Sequence, residues 1–300
     1  MQYLVTGGRG FIGSHLAEGI VCQGDSAVVL TSQKTRSVQD DGMQWVCGDV
    51  TDTSSLRKIF SEYSIDGVFH QAALGNASIS NSQPQRFNDV NITGTLNLLT
   101  AANEAGVRNF VFPSSALVYG RVNQEVVSED RALNPLTPYA VSKITGEYYC
   151  KMFTELYGMN ISILRYFNVY GKGQDGTSEF AAAIPKFIHL ILNRMSPVIY
   201  GDGKQERDFV YVKDIVSANL LAMKTGKSGI YNIGSGSSVS LNSVAETIMD
   251  ISGIDVDIIY KEAHGYEVKK VRADITHAGN VLGYQPEYDV RKGIQEILSP

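Results

Sequence analysis

Tyr139 and Lys143 stand four residues apart within Tyr139-Ala140-Val141-Ser142-Lys143. On a helix that spacing puts both side chains on one face, one turn apart. A phenol is a poor base near neutral pH because its ordinary pKa is about 10. A neighbouring ammonium favours the phenolate and pulls that value down. Such a pair can take a proton from a substrate hydroxyl while a cofactor takes the hydride. The competing reading is a solvated helix face, where Tyr and Lys also meet at this spacing.

The elements that must carry this pair alternate. Short apolar runs at Tyr3-Leu4-Val5, Ala27 to Leu30, Trp45 to Cys47, Gly67 to His70, Asn109 to Phe112 and Ile161 to Leu164 read as strands. Helical periodicity falls between most of them, at Thr53 to Tyr63, Val90 to Ala105 and Tyr139 to Tyr157. That alternation predicts an α/β fold, a doubly wound parallel sheet of the Rossmann type covered on both faces. The dinucleotide-binding part is expected over 1–170, with a return to the sheet near 208–235. Residues 171–300 are expected to form mainly a smaller C-terminal substrate lobe.

Net charge is −5 over 300 residues, so no global basic field draws nucleic acid. The cysteines Cys22, Cys47 and Cys150 show neither metal spacing nor a disulfide framework. They suit a reducing compartment. The chain enters a strand directly after Met1, and no apolar run approaches membrane-spanning length. Cytoplasmic residence away from membranes is the expectation.

Gly7, Gly10 and Gly13 follow the first strand and open a helix. Glycines there allow a tight turn and close approach of a pyrophosphate to the helix N-terminus. Arg9, Phe11 and Ile12 complete the candidate loop; a purely structural turn is the alternative. Asp49-Val50 follows the third strand, where the carboxylate is suited to an adenine amino group or to a helix cap near Asp52. Strand two ends in Leu30-Thr31-Ser32-Gln33-Lys34-Thr35-Arg36, with no carboxylate to hold a ribose 2′-hydroxyl. Thr31, Ser32, Lys34, Arg36 and Arg9 are suited to a 2′-phosphate. NADP is the expectation from these residues; an exposed basic loop around NAD is the alternative.

With Ser114-Ser115-Ala116-Leu117-Val118-Tyr119-Gly120 between the glycine loop and the Tyr139–Lys143 pair, the chain resembles the extended short-chain dehydrogenase/reductases. The resemblance runs from end to end and narrows to the UDP-hexose 4-epimerases. It is carried by His70 to Gly75, Asn88 to Ile92, Arg165 to Gly171, and Gly201-Asp202-Gly203 with Arg207-Asp208-Phe209. The first of these segments is similar to the subgroup acting on UDP-N-acetylglucosamine. The resemblance implies a tightly bound NAD and a transient 4-keto sugar. It implies that Ser115 shares the proton with Tyr139 and that Lys143 holds the nicotinamide ribose. Ala72, Ala73, Asn91 and Tyr166 would border the cofactor. Ser114, Ser115, Asn168 and Ala183 would border the sugar or diphosphate, Arg207 would neutralise the diphosphate, and Tyr200 would stack on uracil. A homodimer through a four-helix bundle is also implied.

The chain departs from the family pattern at His264 to Asp274, where Lys269 falls at the place of a late Arg and Arg272 is displaced. Lys supplies a point charge but no bidentate fork. Related 4,6-dehydratases carry an Asp-Glu pair after the Ser/Thr motif, whereas Ala116 and Leu117 stand here and neither transfers protons. Oxidation and return at C4 is thus the expected reaction, rather than elimination. A reductase, dehydrogenase or decarboxylase on the same scaffold, and a non-catalytic NADP-binding sensor, are the alternatives.

Overall fold

The computed structural model describes residues 1–32, 39–40, 42–122, 125–263 and 269–299. Seven parallel strands form the central sheet: β1 (Gln2–Thr6), β2 (Ser26–Thr31), β3 (Met43–Cys47), β4 (Gly67–His70), β5 (Asn109–Ser115), β6 (Asn160–Tyr166) and β7 (Gly229–Ile233). Their spatial order is β7-β6-β5-β4-β1-β2-β3, with the short antiparallel strand Gln39–Asp40 at the β3 edge. The order reverses at β1 and β4, the crevice where doubly wound sheets bind ligands at the carboxyl ends of their strands.

Burial on both faces explains the unbroken apolar runs. Side chains alternate along each strand, so Tyr3, Val5, Ala27, Val29, Phe69 and Leu164 fill one side of the sheet. Their neighbours Leu4, Val28, Leu30, Val68, Phe110 and Ile163 fill the other. The first side is covered by the helices Phe11–Cys22, Val212–Thr225 and Thr276–Leu282, and the second by Thr53–Glu62, Gly94–Glu104 and Pro138–Tyr157.

A separate core joins the helices Ala183–Leu192, Leu241–Ser252 and Val290–Leu298. Short strands sit against it: Val198–Tyr200 runs parallel to Ile259–Lys261, and Asn168–Tyr170 runs parallel to Phe209–Tyr211. The last pair continues directly from β6, which ties this lobe to the carboxyl end of the sheet. Among the described residues, no helix is long and apolar enough to cross a membrane.

Candidate active site

The Tyr139 helix is built to start where it does. Thr137 caps its N-terminus by accepting from the Ala140 N–H at 3.2 Å, and Pro138 opens the first turn. Gly146 lets the helix press on the sheet, since a Cβ there would meet the Phe112 ring at 2.4 Å. That approach brings the Lys143 Nζ to the carbonyl of Pro113 in β5, at 2.9 Å. Tyr139 hydrogen-bonds Ser115 at the end of the same strand. The three expected catalytic side chains therefore meet.

Their acidities are governed first by burial. The Tyr139 phenol is pushed up to about 12 by burial, with the Ser115 hydrogen bond pulling the other way. The Lys143 ammonium is pushed down to about 8 by burial, against the opposing pull of Cys150 and Glu147. The expectation that Lys143 draws the phenol below its ordinary value is thus corrected. The Lys143 Nζ lies 5.9 Å from the Tyr139 ring centroid, and burial is the dominant influence on the phenol.

A cavity of about 380 Å³ opens beside the glycine loop, lined by Gly7, Arg9, Gly10, Thr31, Ser32, Asp49, Val50, Ala72 and Ala73. All nine were candidate cofactor residues. Gly7 adopts the left-handed conformation at φ 67°, and a Cβ on it would meet the Ala72 nitrogen at 2.7 Å. A Cβ on Gly10 would stand at the cavity wall with only the Gly7 carbonyl nearby, at 3.1 Å. Gly10 caps the Phe11–Cys22 helix with no side-chain hydrogen bond, so the first-turn N–H groups face an anion site. This bare cradle fits a dinucleotide pyrophosphate. Arg9 stacks on Trp45, 5.5 Å from the ring centroid, and Asp49 holds the Thr51 N–H at 2.8 Å. Lys34 and Arg36 lie outside the described residues.

Phe11, Ile12 and Gly13 stand differently. Phe11 and Ile12 send their side chains into apolar cores, and Gly13 packs under the Gly7 carbonyl.

Two further cofactor candidates use their side-chain polar atoms within the protein. Asn91 is buried, and its amide is used by protein: Oδ1 accepts from Leu74 N at 2.8 Å, while Nδ2 donates to Leu74 O at 3.1 Å and Ser142 Oγ at 3.0 Å. Tyr166 is also buried, with its hydroxyl bonded to Asn219 and Gln71. Both position the loop 71–74, which lines the cofactor cavity. Sequence reading missed Arg86, Gln71 and Leu74 in the same lining. An exposed Arg in a short helix carries no signal of its own.

A second cavity, of about 630 Å³, lies at the lobe and is lined by Asn168, Ala181, Ala182, Ala183, Tyr200 and Arg207 among others. Ser115 pairs in register with Tyr166, two residues before Asn168 of this lining. Asn168 Nδ2 donates to the Asp208 carbonyl at 2.8 Å. The Asp208 carboxylate is buried and accepts from Ser235, Gly236 and Ala273, which anchors the segment bearing Arg207.

Two substrate candidates fall elsewhere. Ser114 is buried and donates to Glu147 Oε1 at 2.5 Å, because alternation along β5 turns it away from Ser115. Lys269 is exposed and does not line the cavity; its carbonyl accepts from Glu206 N at 2.7 Å. The lysines in the lining are Lys186, whose Nζ donates to the Glu179 carbonyl at 3.0 Å, and Lys261, paired in register with Tyr200. Arg272 is held by the Gly236 carbonyl at 3.0 Å.

The sequence pattern of the family described as "NAD dependent epimerase/dehydratase family" matches residues 3–234. A UDP-glucose 4-epimerase of Lactobacillus helveticus is 35% identical over 309 residues, spanning 96% of this chain and 93% of that protein. The UDP-glucose 4-epimerase of Thermotoga maritima, solved with UDP-glucose, superposes with a TM-score of 0.93 at 34% identity, covering 99% and 97% of the two chains. A UDP-N-acetylglucosamine 4-epimerase of Methanobrevibacter ruminantium, solved with UDP-N-acetylmuramic acid, gives a TM-score of 0.90 at 35% identity, covering 99% and 98%. With the sheet order, the glycine cradle and the Ser–Tyr–Lys cluster in place, this chain belongs to the NAD dependent epimerase/dehydratase family.

Proposed function

We propose that this protein is a UDP-hexose 4-epimerase of the extended short-chain dehydrogenase/reductase type, acting on UDP-glucose and UDP-galactose or their N-acetyl forms. The observation that carries the reading is the meeting of Ser115, Tyr139 and Lys143 at the carboxyl end of β5, with Ala116 and Leu117 following. When bound, a nicotinamide dinucleotide supplies the hydride acceptor and donor, and its oxidised ring brings positive charge that favours the phenolate.

Tyr139 takes the proton of the C4 hydroxyl, and Ser115 shares it through their hydrogen bond. Tyr139 later returns the proton as the hydride comes back to the 4-keto sugar; burial raises its pKa, which favours the protonated phenol once no cofactor charge opposes it. Arg207, with Lys261 beside Tyr200, holds the diphosphate; Tyr200 offers a face for uracil. Ala181, Ala182 and Ala183 leave room for the keto sugar to turn over. Asn168 reaches the sugar diphosphate. No acid follows Ser115, so C5 deprotonation with loss of the C6 hydroxyl has no donor there.

The same reading extends to cofactor choice, assembly and location. NADP is accepted, supported by Arg9, Thr31 and Ser32 in the lining and by the lack of a carboxylate in Thr31 to Arg36. A homodimer forms on the Pro138–Tyr157 helix, where Val141, Tyr148, Met152 and Leu156 are exposed along one face. Free thiols at Cys22, Cys47 and Cys150 suit the cytoplasm.

Incubation with UDP-glucose, UDP-galactose and their N-acetyl forms tests the reading. Epimer formation without net change in reduced cofactor is the expected result. Net cofactor turnover would point to a reductase or dehydrogenase, and thermal stabilisation by cofactor without turnover would point to a sensor.

A further inference from the structure

Glu147 stands one helical turn beyond Lys143 and two beyond Tyr139, on the same helix face. It is fully buried, as is its partner Arg165. Arg165 Nη2 donates to Glu147 Oε2 at 2.7 Å and Arg165 Nε donates to Oε1 at 2.9 Å, a bidentate pair. Ser114 Oγ adds a third hydrogen bond to the same carboxylate, at 2.5 Å.

The placement of these partners is the informative part. Ser114 immediately precedes Ser115, and Arg165 immediately precedes Tyr166. Ser114 pairs with Arg165, and Ser115 with Tyr166, across β5 and β6. One carboxylate on the catalytic helix therefore holds the ends of both strands, directly beside Ser115 and Tyr166. Arg165 is in turn fixed from behind. Its Nη1 donates to the Tyr119 hydroxyl at 2.9 Å, and Tyr119 donates to Asn232 Oδ1 in β7 at 2.6 Å.

We propose that Glu147 is a positioning residue for the reaction, holding Ser115 and Lys143 in register through Ser114 and Arg165. The proposal rests on the reading of Ser115, Tyr139 and Lys143 as the catalytic group. Replacing a buried ion pair by apolar groups is often harmless to stability, so stability alone does not account for a carboxylate in this place. The groups facing Lys143 are Tyr139, Glu147 and Cys150 on its own helix, His70 from β4, and the uncharged Phe112 ring and Pro113 carbonyl from β5. His70 is held neutral by burial, which leaves Glu147 as the anion on that side.

The test compares Ser114→Ala and Glu147→Gln with wild type for kcat, KM, cofactor affinity and the pH dependence of kcat on UDP-hexoses. Ser114→Ala removes one hydrogen bond and leaves the ion pair whole. It is expected to lower kcat about 10-fold with KM and cofactor affinity unchanged. Glu147→Gln keeps one acceptor oxygen, for Ser114 and Arg165 Nε, but sets an NH2 donor against Arg165 Nη2 and removes the negative charge. Its alkaline limb is expected to move to lower pH, because Lys143 then loses its proton earlier. A purely structural role would lower the melting temperature of both variants while kcat per folded site and the pH profile stay as in wild type, and that result overturns the proposal. If Glu147→Gln does not fold, Ser114→Ala decides alone: an unchanged kcat overturns the proposal. Wild-type protein inactive on every UDP-hexose would instead sink the proposed function.

Discussion

Asn91 Nδ2 donates to Ser142 Oγ at 3.0 Å, and Ser142 Oγ in turn donates to the Tyr139 carbonyl at 2.7 Å. The same Asn91 amide holds both backbone groups of Leu74. The loop bordering the cofactor cavity is thereby fastened to the first turn of the catalytic helix. Replacing Asn91 with Ala leaves the half-buried Leu74 N–H and C=O without this partner, at about 1–2 kcal/mol. Cofactor affinity should weaken about 10-fold as the loop loosens, since about 1.4 kcal/mol corresponds to that factor. Trp45, the chain's single tryptophan, lies under Arg9 at the cavity and reports binding by its fluorescence. Unchanged affinity would remove the clamp from the account.

His70 gives a pH prediction. It sits between two hydroxyls, Thr6 Oγ1 at 2.8 Å from Nδ1 and Thr95 Oγ1 at 2.9 Å from Nε2. Ala72 N donates to Thr6 Oγ1, and Thr95 Oγ1 donates to the Asn91 carbonyl. Thr6 is thus free to donate to Nδ1, with Nε2–H donating to Thr95. Burial pushes the imidazole down to about 3, with the Lys143 charge adding to the effect. The unfolded chain binds this proton near pH 6.5 and the folded chain does not, so stability falls as pH drops from about 6.5 towards about 3. Asp208 and Asp214, raised by burial, act in the opposite sense. Melting temperatures from pH 7 to pH 4 should fall less steeply for His70→Gln than for wild type. Parallel slopes would contradict the assignment.

Arg207 is expected to bind rather than to react. Arg207→Met should raise KM for a UDP-sugar about 10- to 100-fold with kcat nearly unchanged, because a charge-assisted contact to phosphate is lost equally in ground and transition states. Lys261→Met should do the same more weakly, while Lys269→Met should leave KM alone. Steady-state kinetics at one ionic strength checks all three. A Lys269 effect larger than that of Lys261 would reverse the correction made above.

Cofactor choice is separable. Titrations at one salt concentration should show NADP binding at least as tightly as NAD, and Arg9→Ala should weaken NADP more than NAD. A clear preference for NAD in wild type would end the NADP part of the reading.

The parts that were legible in the sequence share a physical reason. Six of the sheet strands read clearly because burial on both faces demands unbroken apolar runs, the seventh only as a return to the sheet near 208–235, and the glycine cradle read clearly because its backbone geometry excludes other residues. What was misread concerns direction. Ser114 and Ser115 are the same residue type, and only the register of β5 tells which one faces Tyr139. For Asn91 and Tyr166 the sequence could not show that their side-chain polar atoms are used by Leu74, Ser142, Gln71 and Asn219, partners distant in sequence. Arg86 and Lys261 carried no signal because an exposed cation has no pattern until the fold brings it to a cavity wall.

The central claim is that a hydride leaves C4 of a UDP-hexose and returns to the same carbon. UDP-glucose deuterated at C4, incubated in ordinary water and followed by NMR, tests this most directly. The account predicts UDP-galactose that retains deuterium at C4, with no net reduced cofactor, and loss of the conversion in Tyr139→Phe. Deuterium washed out to solvent, or full conversion by Tyr139→Phe, would contradict it.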